Sequence, residues 1–320
     1  MKILANDGIS QSGILALEKA GFEVIVIKVA QEQLKNYISK EQINVILVRS
    51  ATEVRKDLID ACPSLKIIGR GGVGMDNIDV EYARKKGLKV INTPASGSGS
   101  VAELVFAHLF GGVRYLHDSN RIMPLSGDTQ FKALKKNYSG GTELRGKTLG
   151  IIGLGRIGRE VAKIALGIGM KVIASDDHVG ESNISLDFYN DQVVKIPIKT
   201  EPVEDVIRDS DFITLHVPAQ EKPLIGAKEF KMMKDGVGII NTSRGGILDE
   251  VALVEALKNG KVAFAGLDVF ENEPTPALQI LMDERISLSP HIGAATKEAQ
   301  DRIGIELASQ IIDILKGKIV

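Results

Sequence analysis

The sequence predicts an α/β protein made of two doubly wound parallel-sheet domains. Short β-branched runs alternate, almost from end to end, with segments whose apolar residues recur at helical spacing. Such alternation builds βα units whose strands pair in parallel. Some runs are nearly continuously apolar, as in Asn44-Val45-Ile46-Leu47-Val48, which suits strands covered on both faces. The series also stops and restarts. Pro94 is followed by Ala95-Ser96-Gly97-Ser98-Gly99-Ser100, a flexible small-residue stretch that reads as a domain junction.

Taken in order, the first series places strands at residues 2–5, 23–27, 45–48, 65–68 and 89–91, with helical spacing between them, as at Ile14, Leu15 and Leu17. Beyond the junction, Ser100 and Glu103 form a capping box for a long helix reaching Leu116. A second series opens at residues 148–152 and continues at 171–175, 212–215, 237–241, 262–266 and 286–288. Residues 178–199 match neither period and read as a loop with a short strand at 193–196. Residues 296–315 read as a closing long helix.

A chain of 320 residues has room for about two domains of roughly 100–200 residues each. Its 40 basic and 41 acidic residues leave a formal charge of -1. That balance gives no reason to expect nucleic acid or an anionic membrane as a partner. Cys62 is the single cysteine, so no intramolecular disulfide forms and a reducing compartment is indicated. No leader-like stretch opens the chain, and no apolar run reaches the roughly 18 residues of a membrane span. The expected location is the cytoplasm, and no metal site is expected.

Gly153-Leu154-Gly155-Arg156-Ile157-Gly158 joins the strand at 148–152 to a helix. In a turn of this type Gly153 permits the tight bend, Gly155 lets the backbone approach a pyrophosphate, and Gly158 lets helix and strand pack closely. Phosphates then face the unpaired N–H groups of a helix N-terminus. Asp176, at the end of the next strand, stands where an acid binds both ribose hydroxyls. Asp176 and its neighbour Asp177 would repel a 2′-phosphate, so NAD is expected rather than NADP.

Three further motifs follow: Thr242-Ser243-Arg244-Gly245-Gly246, Asp268-Val269-Phe270-Glu271-Asn272-Glu273-Pro274 and Ser289-Pro290-His291-Ile292-Gly293. A fixed cation, a carboxylate and a proton-accepting ring suit the oxidation of an alcohol.

With these motifs in this order, the chain resembles the D-isomer-specific 2-hydroxyacid dehydrogenase family over essentially its whole length. The likeness is strongest to the phosphoglycerate dehydrogenase branch. It extends to Val48-Arg49-Ser50-Ala51-Thr52, to the glycine-rich run from Gly69 to Asp79, to Asn92-Thr93-Pro94, Ser100-Val101-Ala102-Glu103, Gly141-Thr142-Glu143-Leu144 and Thr296-Lys297-Glu298-Ala299-Gln300. The resemblance implies a split arrangement. Residues 1–95 with 286–320 would form a flavodoxin-like substrate-binding domain, and residues 96–285 a Rossmann NAD-binding domain. The active site would lie in a cleft between them, with the helices after Gly99 and Thr296 as hinges. The longer regulatory versions carry further C-terminal domains, and here none is expected after Val320.

The resemblance also assigns roles. His291 would be the general base, Glu273 its orienting acid and Arg244 the carboxylate-binding cation. Glu273 is preferred to Glu271 because the family acid directly precedes Pro, and Glu271 reads as a solvated surface charge. Arg156 and Ile157 would meet the pyrophosphate, and Val217 and Pro218 the adenosine. Thr242, Ser243 and Asp268 would lie around the nicotinamide, with Gly293 and Ala294 closing the pocket. The backbone N–H groups of Val73 and Gly74 would hold the substrate carboxylate. Arg49 and Ser50 correspond to phosphate-contacting positions. Lys132, Lys135 and Lys136 read either as an ordinary solvated basic stretch or as positive charge added from a neighbouring subunit. A homodimer or higher homo-oligomer is implied.

The implied activity is the NAD-dependent oxidation of 3-phospho-D-glycerate to 3-phosphooxypyruvate, the first step of serine biosynthesis. A hydroxypyruvate, glyoxylate or D-lactate reductase is the alternative within the same chemistry. A non-catalytic NAD-sensing binding protein, similar to the C-terminal-binding corepressors, is the alternative from another class. Three departures stand out. Gly97 occupies a position where the phosphoglycerate branch usually has Asn. The loop after Pro218 is short and lacks the customary Thr. Ala294-Ala295 replaces the more typical Gly-Ser.

Overall fold

The structure is a computed structural model that describes residues 1–317. The chain divides into two compact units, Met1–Ser98 with Ala294–Val320, and Gly99–Gly293. Residues 318–320 of the expected substrate domain lie outside the described residues.

The first unit runs β1 (Lys2–Ala5), α1 (Gln11–Lys19), β2 (Glu23–Ile25), α2 (Gln31–Glu41), β3 (Val45–Val48), α3 (Lys56–Ala61), β4 (Ile67–Arg70), α4 (Val80–Lys85) and β5 (Lys89–Asn92). Its strands form one parallel sheet in the order β2-β1-β3-β4-β5. All four residues of β3 are buried, as its unbroken apolar run requires. The winding reverses between β1 and β3. In open sheets of this type a ligand sits beyond the strand ends at such a reversal.

The second unit begins with α5 (Ser98–Val113) and α6 (Leu116–Asn137), then β6 (Thr148–Ile152), α7 (Arg156–Gly167), β7 (Lys171–Ser175), β8 (Glu181–Asp187), β9 (Val193–Lys199) and α8 (Val203–Asp209). It continues through β10 (Phe212–Leu215), α9 (Ala227–Met232), β11 (Val237–Asn241), α10 (Glu250–Lys258), β12 (Val262–Leu267), α11 (Leu278–Met282) and β13 (Ile286–Leu288). The main sheet is parallel, in the order β13-β12-β11-β10-β6-β7. Two apolar clusters fill the unit, one around Ile213, Ile239 and Leu253, the other around Leu109, Ile151 and Val161. The last helix, α12 (Lys297–Leu315), belongs to the first unit and packs on α1.

Several sequence expectations shift. The segment 178–199 is an antiparallel hairpin of β8 and β9, not a loop with one short strand. It ends in a parallel bridge from Thr200 to Ala174. The expected strand at 65–68 forms at Ile67–Arg70 instead. The helix after the junction starts at Ser98, so Ser100 lies inside it and not at its cap. Ser96, Gly97 and Ser98 are buried, and Arg302 Nε donates to the Ser96 carbonyl at 3.0 Å, so the junction is packed, not loose. The expected boundary at 286 falls inside a sheet, because Ile286–Leu288 pairs with β12.

Candidate active site

The glycine-rich turn leaves β6 and enters α7 as the sequence pattern requires. Gly153 has φ +98°, and a Cβ there would lie 2.4 Å from the His216 carbonyl oxygen. A Cβ on Gly158 would lie 2.1 Å from the Gly153 oxygen, so the third glycine lets the helix sit against the turn. Gly155 is exposed and a Cβ there would meet nothing within 4 Å. The turn is thus closed behind and open in front, with Arg156 exposed and Ile157 half-buried in the first turn of α7. This is a cradle that fits a pyrophosphate.

Asp176 follows β7. One of its carboxylate oxygens accepts from Leu154 N–H at 2.7 Å, and the other from His178 and Val179 N–H at 2.9 and 3.0 Å. It therefore fixes the glycine turn, and a carboxylate's roughly four acceptor sites leave capacity for ribose hydroxyls. Asp177 is exposed. Val217, beyond β10, lies 3.3 Å from where a Gly153 side chain would start, and Pro218 is exposed beside it. Burial drives the His216 ring down to about 3, so it stays neutral, bonded to Thr214 at 2.9 Å.

Asp268 stands one residue past β12 and is 1% exposed. Its Oδ1 accepts from Ser289 Oγ at 2.6 Å and Ile292 N–H at 2.8 Å, and its Oδ2 from Gly293 N–H at 2.8 Å. One carboxylate thereby clips both ends of the turn that presents His291. The His291 backbone sits in the left-handed region at φ +54°, a conformation that an L-residue holds only when its surroundings impose it. Its ring is exposed, and Nδ1 lies 2.8 Å from Glu273 Oε2. The carboxylate can only accept, so Nδ1 carries the proton and Nε2 is the free acceptor.

Glu273 precedes a cis peptide bond to Pro274. Its other oxygen accepts from Phe270 N–H at 3.1 Å. Burial on its own would raise this carboxyl. The His291 hydrogen bond and charge, the Phe270 N–H and the Arg244 charge outweigh burial and hold it below the usual carboxylate range. Arg244 leaves β11 in a turn stapled by Asn241, whose amide donates to the Arg244 carbonyl at 2.9 Å and accepts from Ser243 N–H and Oγ at 3.0 and 2.8 Å. Arg244 itself donates to the Ser243 carbonyl at 2.6 Å. The turn reaches the Glu273 loop because Gly245 has no side chain: a Cβ there would lie 1.8 Å from the Phe270 carbonyl oxygen. Thr242 is buried, and its hydroxyl has no hydrogen-bond partner among the described residues.

Glu271 is exposed, as expected of a surface charge, but it is also tied to its neighbours. Its carboxylate accepts from Glu250 N–H at 3.0 Å, while Glu250, 5% exposed, accepts from Glu271 N–H at 2.8 Å. Burial, together with the Glu271 charge, pushes the Glu250 carboxyl up against the opposing Glu271 hydrogen bond. This reciprocal pair ties the loop before Glu273 to the start of α10.

In the first unit, Arg49 directly follows β3 at the point where the winding reverses. Asp7 accepts from Arg49 N–H at 2.7 Å and Thr52 N–H at 3.1 Å, and Asn77 donates to the Arg49 carbonyl at 2.7 Å. The loop is pinned by its backbone, and the Arg49 guanidinium makes no ion pair among the described residues. Ser50 and Val73 are exposed, with Gly74 half-buried. The Val73 carbonyl is held by Asn92 at 2.7 Å. A Cβ on Gly97 would lie 2.9 Å from the Ala294 Cβ, so those two positions share one small space. Ala294 also accepts from Gln300 at 2.6 Å.

Thus His291, Glu273 and Arg244 come together in the second unit, on loops that leave β11, β12 and β13, and Asp268 and Gly293 join them. The glycine turn, Asp176 and Val217 gather at the ends of β6, β7 and β10. Arg49 and Ser50 belong to the first unit, and Lys132, Lys135 and Lys136 are exposed on α6. A cavity of about 480 Å³ opens at the other, N-terminal end of the second unit's strands, near His117 and Tyr138, and contains none of these residues. Asp7, Asn77, Asn241 and Glu250 went unnoticed in the sequence. Asp7 alone carried a usable signal, an acid just past a strand end.

Residues 106–293 match the family model for the D-isomer-specific 2-hydroxyacid dehydrogenase NAD-binding domain. The chain is 41% identical to a hydroxypyruvate reductase from Thermotoga maritima over 316 residues, covering 97% of each. It is 40% identical to a D-3-phosphoglycerate dehydrogenase from Archaeoglobus fulgidus, covering 99% of this chain and 58% of that one, so it spans just over half of that relative. An NAD+-bound 3-phosphoglycerate dehydrogenase from Entamoeba histolytica superimposes with a TM-score of 0.78 at 28% identity, covering 100% of this chain and 97% of the other. The chain belongs to the D-isomer-specific 2-hydroxyacid dehydrogenases. It is an NAD-dependent oxidoreductase with the two-domain α/β fold of that family. No helix among the described residues is long and apolar enough to cross a membrane.

Proposed function

We propose that this enzyme oxidises 3-phospho-D-glycerate to 3-phosphooxypyruvate, feeding serine biosynthesis. The observation that carries the reading is Arg49, a guanidinium with no carboxylate partner among the described residues, held by its backbone at the winding reversal of the first sheet. An Arg fork with the Ser50 hydroxyl beside it suits a phosphate dianion. The Val73 and Gly74 N–H groups would hold the substrate carboxylate.

In the proposed mechanism Nε2 of His291 takes the hydroxyl proton, because Nδ1 is committed to Glu273. Glu273, kept ionised, fixes that tautomer and balances the charge the ring gains. Arg244 holds the carboxylate next to the reacting carbon and polarises the forming carbonyl. Bound NAD would supply the hydride acceptor. Gly153, Gly155 and Gly158 with Arg156 and Ile157 would hold its phosphates. Asp176 would hold its adenosine ribose, with Val217 and Pro218 beside the adenosine. Thr242, Ser243 and Asp268 would lie around its nicotinamide ring, closed by Gly293 and Ala294.

A second reading, a hydroxypyruvate or glyoxylate reductase, is favoured by Gly97, which offers no side chain to a substrate, and by the Thermotoga relative, which matches over 97% of each chain. Comparing kcat/KM for 3-phosphoglycerate with glycerate, lactate, hydroxypyruvate and glyoxylate separates the two. Phosphate specificity requires a preference above about tenfold, or roughly 1.4 kcal/mol at the transition state. A smaller ratio transfers the assignment to the reductase.

We further propose a homodimer through α5 and α6 of the second unit. Support comes from the large apolar side chains these helices expose, including Phe110, Leu116, Leu125 and Phe131. A cytoplasmic location accompanies this reading.

A further inference from the structure

Behind the turn that presents His291 lies a buried polar chain that the proposed mechanism leaves unused. His108, on α5, is 4% exposed. Its Nδ1 lies 2.8 Å from Ser287 Oγ on β13, and its Nε2 3.0 Å from Ser289 Oγ. Ser289 in turn donates to Asp268 at 2.6 Å. The fold makes room for this ring: Gly266 on β12 has no side chain, and a Cβ there would stand 2.6 Å from the His108 Cβ.

The proton positions follow from the acceptors. Asp268 can only accept, so the single Ser289 hydroxyl proton points to it. Ser289 Oγ can then only accept from His108, which places a proton on Nε2. Nδ1 is left bare and takes the Ser287 hydroxyl. Every group in the chain is satisfied by one tautomer of a neutral ring. Burial, helped by His117 and opposed by the Asp268 charge, lowers the His108 ring's affinity for a second proton.

We infer that His108 is a positioning residue for the proton-transfer step. It holds Ser289 against Asp268, and Asp268 holds Ile292 and Gly293, so that the strained His291 backbone between them keeps its ring on Glu273. This rests on the reading of His291 as the base. The load falls on the geometry of one ring and not on substrate affinity, so its loss should lower kcat and spare KM.

The test uses the purified full chain with NAD and its best hydroxy acid, well below each variant's melting temperature. His108→Leu should lower kcat at least about tenfold with KM within about twofold. His108→Gln, whose amide nitrogen can replace the Nε2 donor, should restore most of the lost rate. The double variant His108→Leu/Ser289→Ala should be no slower than Ser289→Ala alone, because both act through one contact. A His108→Leu enzyme as fast as wild type, or losses that multiply in the double variant, overturns the inference. If His108→Leu does not fold, nitrogen-15 NMR of the wild-type ring at pH 7 decides: a proton on Nε2 alone supports it, and a proton on Nδ1 overturns it. His291→Ala is measured alongside. If that variant keeps its rate, the reading of the base has failed. If it is inactive while His108→Leu is fast, only the positioning role has failed.

Discussion

Asp7 in the first unit and Asp268 in the second perform one mechanical task in two different settings. Each follows a strand end and pins the next functional loop through backbone N–H groups. Asp7 is also neutralised by Lys28, a half-exposed cation that shares Thr52 with it. Asp268 has no cation partner among the described residues and is satisfied by neutral donors in a dry site. A charge held by dipoles alone is demanding of geometry, since each donor lost leaves part of a buried anion uncompensated. The difference points to a rigid mount for His291, the proposed proton acceptor, and a softer one for Arg49, whose aspartate side chain is also buried but leans on an exposed lysine.

The largest effect bearing on this contrast is expected from His291→Ala. It should lower kcat by roughly 10²–10⁴-fold, and retained turnover at neutral pH would remove His291 as the base. Asp268→Asn comes next. The amide offers one acceptor oxygen where the carboxylate served three donors. Stability should fall by about 1–3 kcal/mol and kcat by about 10²-fold from displacement of the ring. Asp7→Asn should act on the other quantity, raising KM by less than about tenfold with kcat preserved. If the two asparagine variants behave alike, the distinction between a rigid and a soft mount fails.

The smallest effect is in pH. Burial raises the Asp7 carboxyl, but Lys28, the Arg49 N–H and Thr52 more than reverse this and leave it below the usual value. A depressed carboxyl contributes stability that is full above its unfolded pKa of about 3.9 and is lost as pH falls through the lower native value. Thermal unfolding of wild type and Asp7→Asn should therefore converge as the pH drops below about 4. Curves that stay parallel would show that Asp7 acts without its charge.

Most strands were legible because buried parallel strands need short runs rich in apolar and β-branched residues, and 45–48, 148–152 and 212–215 are such runs. The hairpin of β8 and β9 was hidden because it lies outside the main sheet, with exposed residues on β9 and Pro197 opposite Asn183. Helix α6 has no counterpart among the sequence expectations, and Pro124, a residue that ordinarily ends or kinks a helix, sits inside it. Of the candidate site, the glycine turn was readable as local geometry, and His291, Glu273 and Arg244 as motifs. Their supports were not. His108 meets Ser289 across 181 positions and Asp7 meets Arg49 across 42, and no local pattern announces a partner that only the fold brings near. The left-handed backbone at His291 was equally silent, because histidine is not a residue from which a positive φ is read.

The crowding between Gly97 and Ala294 constrains how this chain can change. A side chain at 97 and a methyl at 294 compete for the same volume, so gaining the first calls for losing the second or shifting the backbone. A lineage or an engineer adding a polar group at 97 would meet a barrier by the direct route and a passable one through glycine at both positions. The order of two mutations, and not only their identity, decides which variants are reachable.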